Sequence, residues 1–336
     1  MAGKELLLEV QDLKTHFFTQ RGVVRAVNGV SFAIRRGQAL GVIGESGCGK
    51  SITSLSILRL LQKPGKIVDG KIRYHGLDQS NGQPVEITTL DPDSAQMRAI
   101  RGGQIAMIFQ EPMTSLDPVY TIGNQIVEGI LCHREVSQSE AREIAREMLK
   151  RVNMPDPQRI LDSYPHQLSG GMRQRAMIAM ALACGPSLLI ADEPTTALDV
   201  TTEAQILELL RDLQSDFGMA IMYITHNLGV VAEMVDEAIV MYLGKVVERA
   251  PVEILLNDPK HPYMQALLRS IPRLGQKSTA RLDAISGMVP SPFAIPSGCA
   301  FHPRCPHFMP GVCDVKEPPV IELGPGHAVN CFLYGE

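Results

Sequence analysis

The octapeptide GESGCGKS at residues 44–51 is the feature that most restricts what this 336-residue chain can fold into. It matches G-x-x-x-x-G-K-S/T, a pattern whose backbone N–H groups wrap around phosphate oxygens. The apolar run ALGVI at 39–43 precedes it, and apolar residues follow at every third position from Ile52 to Leu61. The sequence therefore predicts a buried strand, a phosphate-binding loop and a helix with one buried stripe. Such a helix presents its positive end to the phosphates.

Strand and helix signals alternate after this loop and predict an α/β fold. Apolar runs at 188–191 and 220–224 are typical of buried strands, and the stripe from Ile206 to Leu213 between them is helical. Apolar strands alternating with amphipathic helices imply a parallel sheet covered on both faces. Residues 239–248 have the pattern of a hairpin.

The other segments have less regular patterns. Residues 6–37 are typical of three short strands, LLLEV, VVRAV and VSFAI, and residues 76–103 of a polar surface excursion. The region from about 112 to 170 is predicted to be mainly helical. Beyond Pro259 the content of Pro, Gly, His and Cys rises, which predicts a small loop-rich module.

Two adjacent carboxylates, Asp192 and Glu193, end the predicted strand LLIADE. Beside a phosphate loop, an acid at the end of a strand can hold Mg²⁺, and a second one can position the attacking water. If the strand stood alone, two solvated acids at a helix cap would be the preferred interpretation.

Charge and apolar patterning exclude several classes of function. The formal net charge is −4, so a basic face for nucleic acid is not expected. The most apolar stretch, 176–191, is interrupted by Gly185-Pro186-Ser187 and is too short to span a bilayer. The first residues, MAGKELLLEVQDL, lack the apolar core of a signal peptide, so a cytosolic location is expected.

The cysteines are unevenly distributed. Four of the seven lie close together near the C-terminus: Cys299, Cys305, Cys313 and Cys331. In a reducing compartment such a cluster favours a metal over disulfides, and thiolates suit a 4Fe–4S cluster or tetrahedral Zn²⁺. Since no C-x-x-C pair is present, the iron–sulfur cluster is favoured, with His302 or His307 as a substitute ligand. Four unpaired thiols are the alternative.

The segment LSGGMRQR at 168–175 is the part of the sequence that most clearly indicates a family. Together with Gln110 after IAMIF, with Ala197-Leu198-Asp199 and with His226, it resembles the nucleotide-binding subunits of ABC transporters. The resemblance extends from about residue 6 to residue 250, with the motifs in the family's order. A serine and two glycines at a helix start also form an anion site from backbone donors.

This resemblance implies a fold and a division into domains. The fold is a P-loop NTPase core with a mainly parallel sheet, an N-terminal antiparallel β subdomain and a helical subdomain at about 112–170. A small Cys/Pro-rich module follows it. The nucleotide-binding domain would occupy residues 1–258, and a C-terminal extension with the four-cysteine metal site would occupy 259–336.

The resemblance also implies ATP and Mg²⁺ as ligands. Glu193 would be the general base, His226 would contact the γ-phosphate together with Lys50, and Gln110 would sense that phosphate and couple to the membrane partner. The Mg²⁺ ligands would be Ser51, Gln110 and Asp192. The nucleotide-contacting set would be Phe17, Gly44, Glu45, Ser46, Gly47, Cys48, Gly49, Lys50, Ser51, Ile52, Gln110, Asp192, Ser169, Gly170, Gly171 and Asp199.

Three of these roles concern adenine stacking and a second ATPase subunit. Phe17, or Phe18 beside it, would stack on adenine, and ordinary strand core is the alternative for this pair. Ser169 and Gly171 would close on ATP bound to the opposite subunit, and Asp199 would communicate between the two sites. Asn227 departs from many relatives, which have Asp after the histidine.

The segment His261-Pro262-Tyr263 and the cysteine quartet resemble the C-terminal extension of dipeptide and oligopeptide importer ATPases. The implied function is ATP hydrolysis that drives import of di- or oligopeptides. The implied partners are two transmembrane permease subunits, a second ABC ATPase, identical or related, and an extracytoplasmic substrate-binding protein, at the cytoplasmic face of the inner membrane. Nickel, glutathione or oligosaccharide cargo is an alternative. A soluble ABC protein acting on nucleic acid or ribosomes is a distant one, because residues 111–167 leave no room for a long coiled-coil arm.

Overall fold

A computed structural model describes residues 5–76, 83–110, 115–196, 198–270, 285 and 287–335. Ala197, part of one sequence motif, lies outside the described residues. In chain order the described strands are β1 (Leu6–Thr19), β2 (Gly22–Arg35), β3 (Ala39–Ile43), β4 (Gly65–Tyr74), β5 (Val85–Glu86), β6 (Ile105–Ile108), β7 (Leu188–Asp192), β8 (Ala220–Thr225), β9 (Glu237–Tyr242), β10 (Lys245–Pro251), β11 (Ile321–Gly324) and β12 (His327–Val329).

The first described α-helix begins at Lys50, within the phosphate-loop motif. The described α-helices are α1 (Lys50–Ile57), α2 (Ala95–Ile100), α3 (Ile122–His133), α4 (Gln138–Arg151), α5 (Pro157–Leu161), α6 (Gly170–Leu182), α7 (Val200–Phe217), α8 (Leu228–Met234), α9 (Val252–Asn257) and α10 (Pro262–Arg269). Among the described residues, we find no helix with the length and apolar character needed to cross a membrane.

One compact unit comprises the described parts of Met1–Leu8, Ile34–Ala39 and Arg73–Ile224. Strand β7 lies between β6 and β8 and is parallel to both. All five residues of β7 are buried, which agrees with the predicted apolar run. Helix α4 packs against α3, α5 and α6 through a face that contains Ala141, Ala145 and Leu149. A capping box between Ser137 and Glu140 fixes where α4 begins.

The other unit comprises the described parts of Glu9–Ala33, Leu40–Ile72 and Thr225–Glu336. In one sheet, β1 lies between β2 and β4. Since two residues join β1 to β2, these adjacent strands are antiparallel. In the other sheet β3 is parallel to β9, and β9, β10, β12 and β11 follow one another with antiparallel pairing.

Three predictions about local structure are wrong. Residues 6–37 contain two strands of 14 residues rather than three short strands. The Asn28-Gly29 pair does not make a turn, because the Asn28 N–H donates to the Gly244 carbonyl at 2.8 Å and the chain stays in β2. Residues 76–103 are not purely a surface excursion, because Ile87 and Met97 are fully buried.

The third wrong prediction concerns α1. The helix ends at Ile57, before Leu58 and Leu61, and Thr53, Ser54 and Ser56 are buried on it instead of a leucine stripe. Their hydroxyls donate to backbone carbonyls three or four residues earlier, at 2.9, 2.8 and 2.6 Å. A polar helix face can therefore be buried with its hydroxyl donors satisfied.

The expected parallel strands, the helices at 122–161, the α7 stripe and the hairpin of β9 and β10 are all present. The described part of 259–336 contains α10, two short strands and 3₁₀ turns. Strand β12 nonetheless pairs with β10, so this C-terminal segment extends a sheet of the second unit. The domain boundary between 258 and 259 stays a prediction.

Candidate functional site

The phosphate loop has a backbone that only glycine fits at two positions. Gly49 has φ 101°, and a Cβ there would collide with the carbonyl oxygen of Ala26. Gly44 has φ 156°, and its Cβ would collide with the Met241 carbonyl and the Cys48 thiol. The loop is therefore packed tightly against its surroundings and leads directly into α1.

Lys50 curls back over this loop. Its ammonium donates to the carbonyls of Gly44 at 2.7 Å and Glu45 at 3.1 Å, and the residue is 6% exposed. Ser46 and Gly47 are exposed, while Ser51 and Ile52 are half-buried at the start of α1. Burial raises the pKa of the Cys48 thiol, so this cysteine is neutral at physiological pH.

The two candidates for adenine stacking differ in exposure. Phe17 is half-buried, and its ring edge packs where a Cβ of Gly65 would lie. Phe18 is 49% exposed. Because neighbouring strand residues point to opposite faces, only one of the two rings can face a given ligand. Stacking by Phe17 stays a prediction.

The acidic pair lies at the end of β7 in the first unit. Asp192 is buried, and the next residue, Glu193, has φ 45° in the left-handed region. The Glu193 N–H donates to the Ile224 carbonyl at 2.8 Å, which fixes this turn. Its Oε2 accepts hydrogen bonds from the Gln110 amide and the Thr196 hydroxyl, both at 3.0 Å. Two predicted site residues, Gln110 and Glu193, are thus in contact.

Two supporting residues were not found from the sequence. The Thr196 hydroxyl holds the Glu193 carboxylate, and the buried amide of Gln174 donates to the Pro194 carbonyl at 2.5 Å. Gln174 belongs to the LSGGMRQR segment and Thr196 lies between two quoted motifs, but no spacing rule shows that these side chains support the Glu193 turn.

The segment LSGGMRQR places a serine at a helix start, as predicted. Ser169 is the N-cap of α6, where its hydroxyl accepts from the Met172 N–H at 3.3 Å. Ser169 and Gly170 are exposed, and Gly171 is half-buried. The amide end of a 13-residue helix therefore opens to the surface, where it favours an anion.

Asp199 and His226 are placed differently. Asp199 is the N-cap of α7, and it accepts from the N–H and the hydroxyl of Thr202 at 3.0 and 2.7 Å. These bonds hold the pKa of Asp199 below its usual value. His226 is exposed directly after β8, and Asn227 begins α8 by accepting from the Gly229 N–H at 2.9 Å. The Asn at this position is therefore a competent helix cap.

The four C-terminal cysteines are close to one another. The Cys299 N–H donates to the Cys313 carbonyl at 2.8 Å, and burial raises the pKa of Cys331 to about 11, with a further contribution from the other three cysteines. All seven cysteines are free thiols. Within the described ranges, however, no three His, Cys, Asp or Glu side chains are placed so that one metal ion could bind them. The expected ligand set is therefore not formed by the side chains as they are placed.

Comparisons with known proteins agree with these motifs. A family model described as "ABC transporter" matches residues 27–196, and one described as "Oligopeptide/dipeptide transporter, C-terminal region" matches 247–313. The chain is 53% identical to a probable peptide ABC transporter ATP-binding protein, y4tR, of Sinorhizobium fredii, over 99% of this chain and 96% of that protein. It is 50% identical to the oligopeptide transport ATP-binding protein AppD of Bacillus subtilis, over 98% and 97%.

A solved structure is also similar. The ATP-binding cassette MJ0796, dimeric in a post-hydrolysis state with ADP and Pi, matches with a TM-score of 0.63 and 28% identity, over 73% of this chain and 99% of that one. The predicted P-loop NTPase fold is thereby confirmed. The chain belongs to the ABC transporter family, in the branch that has the oligopeptide/dipeptide transporter C-terminal region.

Proposed function

We propose that the chain is the ATP-hydrolysing subunit of an ABC importer for di- or oligopeptides. The observation that carries the proposal is the Glu193 carboxylate, which the turn after β7 and the Gln110 amide hold in place, in a chain that also has a glycine-constrained phosphate loop. The peptide-transport relatives, similar over nearly the whole chain, support the transport role.

Phosphate binding would depend on the loop and on Lys50. The loop amides and the Lys50 ammonium donate to the phosphate oxygens of ATP, and charge-assisted bonds of this kind are the strong ones. Ser51, Asp192 and Gln110 would hold Mg²⁺, since side-chain oxygens are the ligands that this ion prefers. When bound, that ion neutralises charge on the phosphate oxygens.

Hydrolysis would depend on Glu193. A water attacks the γ-phosphorus, the bond to the β-phosphate oxygen breaks, and the water proton passes to the carboxylate. Gln110 and Thr196 orient that carboxylate through the same oxygen. His226 would contact the γ-phosphate, and Ser169 and Gly171 would contact the nucleotide of a second ATPase subunit. Asp199 would link the two sites.

An exposed apolar surface supports a membrane partner. Val119 and Tyr120 are 70% and 55% exposed, and Tyr164 is 39% exposed. The Ile122 N–H donates to the Ser163 carbonyl at 2.9 Å, so these segments are neighbours. We assign this surface to the permease, with the subunit bound at the cytoplasmic face of the inner membrane. The cargo would be delivered by a substrate-binding protein.

The test is reconstitution with the permease, the second ATPase and the binding protein in lipid. The proposal expects ATP hydrolysis that increases with peptide-loaded binding protein. If nickel, glutathione or an oligosaccharide stimulates hydrolysis instead of peptides, the assigned cargo is wrong but the assignment as an importer ATPase stands. If the complete assembly does not hydrolyse ATP, the proposed ATPase activity is refuted.

The four cysteines would hold a 4Fe–4S cluster, with Zn²⁺ as the alternative. The backbone bond between Cys299 and Cys313 and the electrostatic effect of the other three cysteines on Cys331 support this, although no three of the described side chains are placed to bind one metal ion. Anaerobically purified protein should contain about four irons and four sulfides per chain. If the protein instead contains one zinc per chain, the site is a zinc site. Four reactive thiols and no metal would overturn both the iron–sulfur and the zinc assignment.

A further inference from the structure

The phosphate-loop residue Glu45 forms a two-point ion pair with Arg304, which lies 259 positions later in the chain. Nη1 donates to Oε2 at 2.8 Å and Nη2 donates to Oε1 at 3.1 Å. A guanidinium and a carboxylate in this parallel arrangement fix each other's orientation. Residues 259–336, predicted to be a C-terminal extension, thus contribute a direct side-chain contact to the phosphate loop.

The Arg304 side chain is held in an aromatic cradle. It is 4% exposed, against 26% for Glu45. Its Cζ lies 5.8 Å from the ring centre of Tyr242 and 5.9 Å from that of Phe301, and Nη1 also donates to the Tyr242 hydroxyl at 3.3 Å. The guanidinium therefore has little freedom to move away from the loop.

A second C-terminal residue holds the backbone at the same position. The fully buried Tyr263 accepts a 2.9 Å hydrogen bond from the Glu45 N–H through its hydroxyl. Its ring packs 4.7 Å from Tyr242 and 5.4 Å from Phe301, centre to centre. Both the backbone and the side chain of Glu45 are thus bound by residues of the C-terminal segment.

The charge of Glu45 gives this contact a consequence for the ligand. ATP carries several negative charges, and a carboxylate in the loop that binds them repels them. A bidentate arginine offsets that negative charge and holds the Glu45 carboxylate in one position.

We infer that Arg304 and Tyr263 are positioning residues for ATP, through which the C-terminal segment controls how strongly the phosphate loop binds nucleotide. This inference rests on the proposed ATP binding. Neither residue is assigned a contact with the nucleotide, because both act through Glu45.

The test measures binding of trinitrophenyl-ATP by the full chain and steady-state hydrolysis by the assembled transporter. Arg304→Met should raise the Kd and the KM for ATP by about tenfold or more, with kcat changed by less than about threefold. Arg304→Lys keeps the charge but not the two-point geometry, so its Kd should lie between those of wild type and Arg304→Met. Tyr263→Phe should raise the Kd by about threefold.

The double variant separates charge compensation from general destabilisation. When Glu45→Gln is added to Arg304→Met, no unpaired carboxylate remains, so the Kd should return to within about threefold of wild type. Arg249→Met is the matched control. It removes an arginine that pairs with Glu322 of the C-terminal segment at 3.5 Å, and it should leave the Kd unchanged.

The outcomes are distinguishable. If wild-type chain fails to bind the probe, the proposed function is wrong. If wild type binds and folded Arg304→Met and Tyr263→Phe bind equally well, the inference is wrong. A loss of kcat at constant KM, or an equal loss in Arg249→Met, would mean that these residues only hold the segment in place. Should Arg304→Met not fold, Arg304→Lys and Tyr263→Phe decide the question.

Discussion

The Gln110 side-chain amide donates to the same oxygen of Glu193 that accepts the Thr196 hydroxyl. Gln110 lies just after β6, so the end of one strand is connected to the carboxylate at the end of its neighbour β7. A shift of the chain around Gln110 would therefore move the group that we assign to water activation.

Glu193→Gln should bind ATP with nearly wild-type affinity and lose hydrolysis by at least about a hundredfold. The substitution keeps the side-chain length but removes the proton acceptor. Phosphate release and nucleotide binding are measured in the assembled transporter. Lys50→Ala is the contrast, because it should weaken binding itself. Wild-type turnover by Glu193→Gln would overturn the assignment.

Thr196→Val should lower kcat by about three- to tenfold and leave the ATP affinity unchanged, since it removes one donor that orients Glu193. Valine has nearly the same shape as threonine, so packing is preserved. Thr202→Val is a useful comparison, because that hydroxyl bonds Asp199 rather than Glu193. Equal effects of the two variants on kcat would count against a specific role for Thr196.

Ser169→Arg should abolish hydrolysis at the site whose phosphate loop belongs to the other subunit, because it places bulk where the γ-phosphate would approach. Complexes with one mutant and one wild-type ATPase subunit show which site fails. If the failing site contains the mutant's own phosphate loop, the signature acts within one chain and the proposal of a second subunit loses its basis.

Glu248→Gln should lower the free energy of unfolding by about 3 kcal/mol. The Glu248 carboxylate is fully buried, and it accepts from the backbone N–H groups of Lys260 and His261, both at 2.8 Å, and from His327 Nε2 at 3.0 Å. An amide nitrogen would face one of these donors instead. Urea unfolding measures the change. Glu322→Gln, at an exposed ion pair, should change stability by less than about 1 kcal/mol.

Acidification should destabilise the chain through His261. Burial lowers the pKa of His261 to about 3, below the ordinary value of 6.5, so the folded state holds it neutral. Below pH 6.5 the unfolded chain binds the proton first, so stability falls as the pH falls through the window from 6.5 to 3. Between pH 7.5 and 5.5 the loss is about 1.4 kcal/mol.

The variant His261→Asn keeps a side-chain acceptor for the Tyr263 N–H and removes this titration. Urea unfolding at the two pH values should show a smaller pH dependence for the variant than for wild type. An equal pH dependence in both proteins would show that His261 does not titrate on unfolding.

The parts that could be predicted from the sequence are those determined by neighbouring residues. The phosphate loop, β7 and the stripe of α7 depend on patterns of a few positions, and each lies where the pattern indicates. The family motifs added the role of Gln110, whose contact with Glu193 joins positions 83 apart.

The parts that could not be predicted depend on contacts between distant segments. Arg304 lies within the cysteine-rich segment, and nothing near it in the sequence indicates that its partner is Glu45. The polar face of α1 was also missed, because hydropathy does not record that Thr53 and Ser56 satisfy their hydroxyls on their own helix. In both cases hydrogen bonding, rather than apolar periodicity, decides the arrangement.

The pairing of β10 with β12 has a consequence for how the chain is made. During synthesis β10 leaves the ribosome well before β12, so one side of β10 has unpaired N–H and C=O groups in the nascent chain. Open edges of this kind recruit strands from other molecules, and a charge on the edge discourages it. Glu248 lies on β10, and its carboxylate stays open to water until His327 and the turn at Lys260 cover it. The residue that later ties the segment together can thus protect the unfinished sheet from aggregation.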